Sequence, residues 1–375
     1  MKQFLTILLL FCLLGSLNLN AQQKTIHFLD QSNYPTILQL HVRDVISHPA
    51  DNRHVIIGDF IAIDDSLNST LPYFSYDLSN QNGIINTYEQ TVGVTANTRP
   101  MAACFDNKGQ LYFGGVNGAN DGFKFVSKIN TNNQILWTTI FGHHSINDLI
   151  LVNDKLFTTS QDEDSSARHS FLISKLDTNG NLLATANFNN NSNNSTGVKL
   201  VADTIQNRIY AFGISIYGSQ PKISIKVLDY NLQTLDSRII QHSSGGLFLN
   251  DVFYKNENFY LCGTFVDSGK DYGFFTQLND NLNIEKSFLF KDTTAANNRI
   301  AANALAVDNQ DHIHIGLSGR DTNNLEFPIA VNLSAEDTIH WQLNVISTDT
   351  GTTENMMSIE PVSYTHLTLP TTSRV

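Results

Sequence analysis

Phe105-Asp106-Asn107-Lys108-Gly109-Gln110-Leu111-Tyr112-Phe113-Gly114-Gly115 holds the end of one β-strand, a tight polar turn and a second strand that closes on glycine. Asp, Asn and Gly tolerate the left-handed backbone of a hairpin, and Asp or Asn oxygens bond backbone N–H groups two residues on, so Asp106 to Gly109 reads as a turn between paired strands. Working outward, Ala102 to Phe105 supplies the first strand and Phe123 to Asn130 a third. Thr131-Asn132-Asn133-Gln134 turns the chain again, and Ile135-Leu136-Trp137 opens a fourth strand.

This four-strand unit recurs about every 50 residues. The second strands end at Gly58, Gly114, Thr159, Gly213, Gly263 and Gly316, and the third strands at Leu78, Ile129, Leu176, Leu228, Leu278 and Leu333. Turns such as Asn80-Gln81-Asn82-Gly83 and Thr178-Asn179-Gly180-Asn181 follow the third strands. Alternation in Lys222-Ile223-Ser224-Ile225-Lys226-Val227 marks a strand with one face in a core. A glycine ending the second strand removes a side chain where backbones crowd, as they do when sheets pack closely about an axis. After the N-terminal segment, no stretch has the spacing and caps of a long amphipathic helix. A β-helix needs much shorter repeats, and an immunoglobulin-type tandem needs about twice the length per unit. The sequence therefore predicts an all-β chain, a β-propeller of four-stranded blades, with six complete blades and the start of a seventh.

The run from Phe105 to Gly115, with Lys175-Leu176-Asp177-Thr178-Asn179-Gly180-Asn181-Leu182, resembles the repeats of bacterial exported β-propellers of the seven-bladed type. The resemblance covers most of residues 37–345. It implies an extracellular repeat scaffold and, in such families, further domains and a C-terminal sorting segment; on activity it implies nothing.

Both ends of the chain depart from the repeat. Lys2, the apolar run from Phe4 to Leu14 and the small and polar residues up to Ala21 form a secretory signal peptide over residues 1–21. The apolar run is shorter than the roughly 18 residues that span a bilayer, so cleavage after Ala21 is favoured over an anchor. Leu10-Phe11 places an aromatic residue before Cys12, against a lipid-anchored cysteine. Residues 22–361 are assigned to the propeller. Thr25 to Leu29 is a short strand suited to closing a last blade, and Asn355-Met356-Met357-Ser358-Ile359 begins a seventh unit. Residues 362–375, from Val362-Ser363-Tyr364-Thr365-His366-Leu367 onward, resemble the in-frame translation of a transposase-based sequencing adapter and are set aside as a non-native tail. A chain ending there is expected to expose an open sheet edge and associate, whereas the full-length protein is expected to be monomeric.

With 35 acidic against 23 basic residues, the chain lacks the cationic surplus that binds a phosphate backbone, which excludes nucleic acid as a partner. No stretch after the signal peptide is apolar enough for a membrane helix. Cys104 and Cys262 lie in strands of different blades, so two free buried thiols are expected rather than a disulfide. The expected location is extracellular or at the cell surface, with the periplasm as the other exported compartment.

In a propeller the first strand of each blade begins at the mouth of a central channel. The aligned starts here are Arg43-Asp44, Arg99, Asn147-Asp148, Thr196, Asn250-Asp251, Asn303 and Asn355. Arg43, Asp44, Arg99, Asn147, Asp148, Asn250, Asp251 and Asn303 are the candidate ligand-binding residues of this polar ring, and calcium is the ion that Asp and Asn oxygens suit. The competing reading is that these groups satisfy backbone and channel water. His312 and His314, two apart on one strand face, lack a visible third metal ligand and read as a solvated face, and His143-His144 shares that weakness. Asp162-Glu163-Asp164 lacks the Asp/Asn and Gly pattern of a calcium loop and reads as a solvated loop. Trp137 and Trp341 occupy matching fourth-strand positions and read as inter-blade packing. No nucleophile elbow, dinucleotide or Walker glycine pattern occurs, and no catalytic residue is assigned. The expected function is a non-enzymatic binding or scaffold module for protein or glycan at one propeller face. The alternative is a propeller-class enzyme, a polysaccharide hydrolase or lyase or a quinone-dependent dehydrogenase, with its site at the channel mouth.

Overall fold

The structure, a computed structural model, describes residues 37–344 except 48–52, 63–70, 78–85, 91–98, 119–121, 133, 164–167, 189–193, 218–219, 292–298, 321–325 and 335–338. The expected signal peptide, the expected strand at 25–29, the expected seventh unit with Asn355 and the expected non-native tail all fall outside the described residues, as does the side chain of Trp341.

Six four-stranded antiparallel sheets follow one another along the chain, each with its strands in sequence order, and the described residues contain no helix. The first strands of the sheets are Ile37–Ser47, Arg99–Phe105, Ile146–Val152, Ser195–Asp203, Gly246–Lys255 and Ile300–Val307. These neighbour one another in succession, so they form the innermost layer. The fourth strands, such as Thr234–Ile240, are largely exposed and form the rim. The second strands, such as Leu111–Asn117 and Ile313–Arg320, are buried almost throughout because each lies between two neighbouring sheets. The core therefore lies between blades. Tyr210, Phe212 and Ile225 of the fourth sheet pack with Leu249, Phe259 and Leu261 of the fifth, and Tyr260, Cys262 and Phe275 of the fifth pack with Leu305, Ile315 and Val331 of the sixth.

The predicted turns take one form. Among the described residues five of them, and a sixth at Asn130 with Asn132 and Gln134, open on an Asp or Asn whose Oδ1 accepts hydrogen bonds from the backbone N–H groups two and four residues on. Asp106 does this with Lys108 and Gln110, Asp177 with Asn179 and Asn181, Asp229 with Asn231 and Gln233, Asn279 with Asn281 and Asn283, and Asp308 with Gln310 and His312. In these five the residue three on is left-handed: Gly109, Gly180, Leu232, Leu282 and Asp311. Leucine is poorly suited to that backbone. Leu232 and Leu282 are held there because their side chains are buried among the apolar residues between blades. At Gly180 the φ of 87° is joined by a steric demand, since a Cβ would lie 2.8 Å from the Trp137 ring. Trp137 belongs to the preceding blade and donates its indole N–H to Thr178 O at 3.1 Å, so it does join two blades.

The glycines ending the second strands meet crowding between blades, as expected: a Cβ on Gly213 would lie 2.7 Å from the Phe171 ring of the preceding blade, and one on Gly114 3.2 Å from Ile146 of the next. They meet crowding within their own blade as well. A Cβ on Gly263 would lie 2.0 Å from Phe248 O, and one on Gly213 2.4 Å from Thr196 O. Both carbonyls belong to the first strand of the same sheet, just ahead of a β-bulge. The glycine makes room for the bulge within its own blade. Gly263→Ala is expected to destabilise the protein by about 1–3 kcal/mol, the usual cost of overpacking, read from the midpoint of urea unfolding. An unchanged midpoint would show that the bulge can shift aside.

Candidate functional site

Every first strand carries a bulge at the same place. The register slips between Val42 and Asp44, Pro100 and Ala102, Ile146 and Asp148, Gly197 and Lys199, Leu249 and Asp251, and Ala302 and Ala304. A bulge places an extra residue on one strand and re-aims the side chains around it. The extra residues are Arg43, Met101, Asn147, Val198, Asn250 and Asn303, and those that follow are Asp44, Ala102, Asp148, Lys199, Asp251 and Ala304.

The Asp residues after the bulge reach to the next blade. Asp44 Oδ2 accepts the N–H of Ala103 at 3.3 Å, Asp148 Oδ2 that of Leu200 at 2.7 Å, and Asp251 Oδ2 that of Leu305 at 2.9 Å. The bulged amides reinforce two of these links: Asn147 donates to Gly197 O at 2.7 Å and Asn250 to Ala302 O at 2.8 Å. Hydrogen bonds to an ionised acceptor are each worth about 1.5–3 kcal/mol. The clasps join blades one to two, three to four and five to six.

Lys199 stands among these carboxylates. Its Nζ lies 3.3 Å from Asp251 Oδ1 and 3.7 Å from Asp148 Oδ1. Burial alone would lower the Lys199 pKa, but the charges of Asp148, Asp251 and Asp44 outweigh it and hold the amine well above its ordinary value. Burial pushes the Asp44 carboxyl up to about 6, with Lys199 opposing and the Asp148 and Asp251 charges adding to the rise. Burial also raises Asp148, against the pull of Lys199. Residues from blades one, three, four and five thus share one electrostatic cluster at the axis.

Of the candidate ring, Arg43, Asp44, Asn147, Asp148, Asn250, Asp251 and Asn303 lie at or just after bulges. Asn303 donates to Ser318 Oγ at 2.9 Å. Arg99 is exposed at the start of its strand, before the bulge, and Thr196 likewise precedes the bulge of its blade. Lys199 is the residue that sequence reasoning missed. Aligning the strands on Asn147-Asp148 and Asn250-Asp251 rather than on strand starts puts Val198-Lys199 in register with those pairs.

Two further readings change, and the expectation of free cysteines holds. His314 is buried, and His312 Nδ1 and His314 Nε2 each lie 3.1 Å from Asp308 Oδ2. The pair is therefore gathered by a turn carboxylate rather than spread on a solvated strand face. Glu163 ends a strand, Lys155–Glu163, and reaches His144 from the preceding inter-blade link. Cys262 is buried, Cys104 is half-buried, and both are free.

No family model matches the chain, and no curated protein matches it. Solved structures are similar to it in fold. An ulvan lyase, described as a member of a new family of polysaccharide lyases, superposes with a TM-score of 0.54 at 8% identity, covering 83% of this chain and 85% of its own. The same kind of lyase bound to a sulfated sugar gives 0.53 at 8% identity over 81% and 83%. Sqt1 from Chaetomium thermophilum gives 0.46 at 15% identity over 80% and 71%. Successive four-stranded sheets around a common inner layer, together with the likeness to the lyase fold, make this chain a β-propeller.

Proposed function

We propose that the protein is an exported, non-enzymatic binding module that engages a protein or glycan through the loops at one face of the propeller. The observation that carries this reading is the state of the axial carboxylates. Asp148 and Asp251 each give one oxygen to the next blade's backbone and turn the other toward Lys199, and Asp44 is tied to Ala103 in the same way. Groups so engaged hold the ring of blades together, which leaves recognition to the loops. One face is closed by the tight Asp and Asn turns. The other carries the connections from each fourth strand to the first strand of the next blade, and connections are where binding residues are usually mounted. Among the described residues no helix is long and apolar enough to cross a membrane.

A second reading is favoured by Asp44. A carboxyl with its pKa near 6, beside other carboxylates at a channel mouth, is suited to donate a proton in hydrolysis or elimination at a glycosidic bond. Incubating the protein with a panel of neutral and acidic polysaccharides separates the two. Retarded migration in polysaccharide-containing gels, with no new reducing ends and no absorbance from unsaturated products, is expected of a glycan-binding module. Chain cleavage that disappears in Asp44→Asn would overturn the binding reading in favour of the enzyme.

A further inference from the structure

We propose that His144, Glu163 and His169 form a zinc-binding site on the loop face of the third blade. The three residues come from two parts of the chain. His144 lies in the link between the rim strand Ile135–His143 and the inner strand Ile146–Val152, with φ at 70° and its backbone N–H donated to Gly122 O at 2.7 Å. Glu163 ends the strand Lys155–Glu163, His169 begins His169–Asp177, and the two are register partners. Directly opposed residues of an antiparallel pair place their side chains on the same face.

The donor atoms are already gathered. One ligand atom from each residue lies within 4.8 Å of the other two. His144 Nε2 is 3.1 Å from Glu163 Oε2, and the imidazoles of His144 and His169 meet edge to face with centroids 5.2 Å apart. Zinc bonds to imidazole nitrogen and carboxylate oxygen are about 2.0–2.2 Å, so donors spaced in this way reach a shared ion through small side-chain rotations. His169 Nδ1 is buried with no hydrogen-bond partner among the described residues, a costly arrangement for a polar nitrogen that a metal would resolve. The Gln161 carboxamide sits 3.4 Å from His144 Nδ1, where an outer partner can fix the ring.

Chemistry selects the metal. Two imidazoles and one carboxylate suit zinc better than calcium, which prefers an all-oxygen set. Three protein ligands leave a fourth position for water or a ligand oxygen. The Glu163 side chain is 34% exposed while His144 is 5% exposed, so the fourth position opens toward solvent and the imidazoles form its floor.

The test uses the whole chain, stripped of metal by a chelator and dialysed. Zinc titrated into it by calorimetry is expected to bind at one equivalent and to raise the melting temperature. Cobalt(II) in its place is expected to give the intense visible bands of a four-coordinate site. Glu163→Gln, at a solvent-facing position where a fold defect is least expected, and His169→Ala are each expected to weaken zinc binding at least tenfold and to abolish the cobalt bands. Circular dichroism of each metal-free variant separates lost binding from lost folding. Absence of a saturable zinc heat, or equal zinc affinity in folded Glu163→Gln and His169→Ala, would overturn the proposal, the latter because zinc would then be held by other histidines.

Discussion

Replacing Lys199 with methionine is expected to destabilise the protein by about 1–3 kcal/mol at pH 7, between the worth of an exposed ion pair and the cost of breaking a fully buried one, since the Lys199 side chain is 32% exposed. Methionine preserves most of the stem, so the loss isolates the ammonium from the packing. With the ammonium gone, Asp148 and Asp251 keep their bonds to Leu200 and Leu305 but lose the charge 3.7 and 3.3 Å away. The remaining carboxylates then repel one another across the axis. Lowering the pH protonates Asp44, whose carboxyl burial holds up near 6, and weakens the repulsion, so the variant should regain part of its stability relative to the parent as the pH falls below about 6. Urea unfolding at a series of pH values reads both effects. A pH-independent deficit would show that Lys199 matters through packing alone. Calcium tests the same geometry, because an ion at this point must compete with the ammonium for the same oxygens. It is expected to raise the melting temperature of the methionine variant more than that of the parent.

The axis also shows where sequence reasoning reached and where it stopped. The period, the blade of four strands and the turns that follow Asp106 and Asp177 were legible because they depend on residues adjacent in sequence, where an Asp and the N–H groups two and four on are fixed by local geometry. The bulges were not legible. A bulge shifts register by one residue without an obligatory sequence signal, and here the extra residue is Arg, Met, Asn, Val, Asn and Asn in turn. The first strand of blade four was consequently aligned on Thr196, three residues ahead of Lys199. His144, Glu163 and His169 were passed over for a related reason: Glu163 and His169 are neighbours only once the strands pair, and His144 arrives from the link to the previous blade. Leu232 and Leu282 show the converse, a turn whose local preference for glycine yields to burial between blades.

Asp44→Asn is expected to stabilise the protein at pH 7, although it removes an ionised group from an ion cluster. The Asp44 carboxyl titrates near 6 in the fold against an ordinary 3.8, so the folded state resists its ionisation. The direction follows from the linkage between proton binding and folding. A carboxyl whose folded pKa is raised contributes its full stability below the unfolded value, then loses it as pH climbs from about 4 through about 6, and stays at the lower level above that. A shift of roughly two units corresponds to about 3 kcal/mol, which the neutral amide avoids. Asparagine still offers an oxygen to the Ala103 N–H, so the clasp between blades one and two survives. The gain should be about 2–3 kcal/mol at pH 7 and vanish near pH 4, where Asp44 in the parent is protonated. Asp251→Asn provides the contrast. Its carboxylate is the one nearest the Lys199 ammonium, and its removal is expected to destabilise at pH 7. Opposite signs for the two substitutions, measured by thermal or urea unfolding across that pH range, would place Lys199 as the partner of Asp251 first and of Asp44 last. A loss of stability in Asp44→Asn at pH 7 would mean that the ammonium depends on all three carboxylates for its place at the axis.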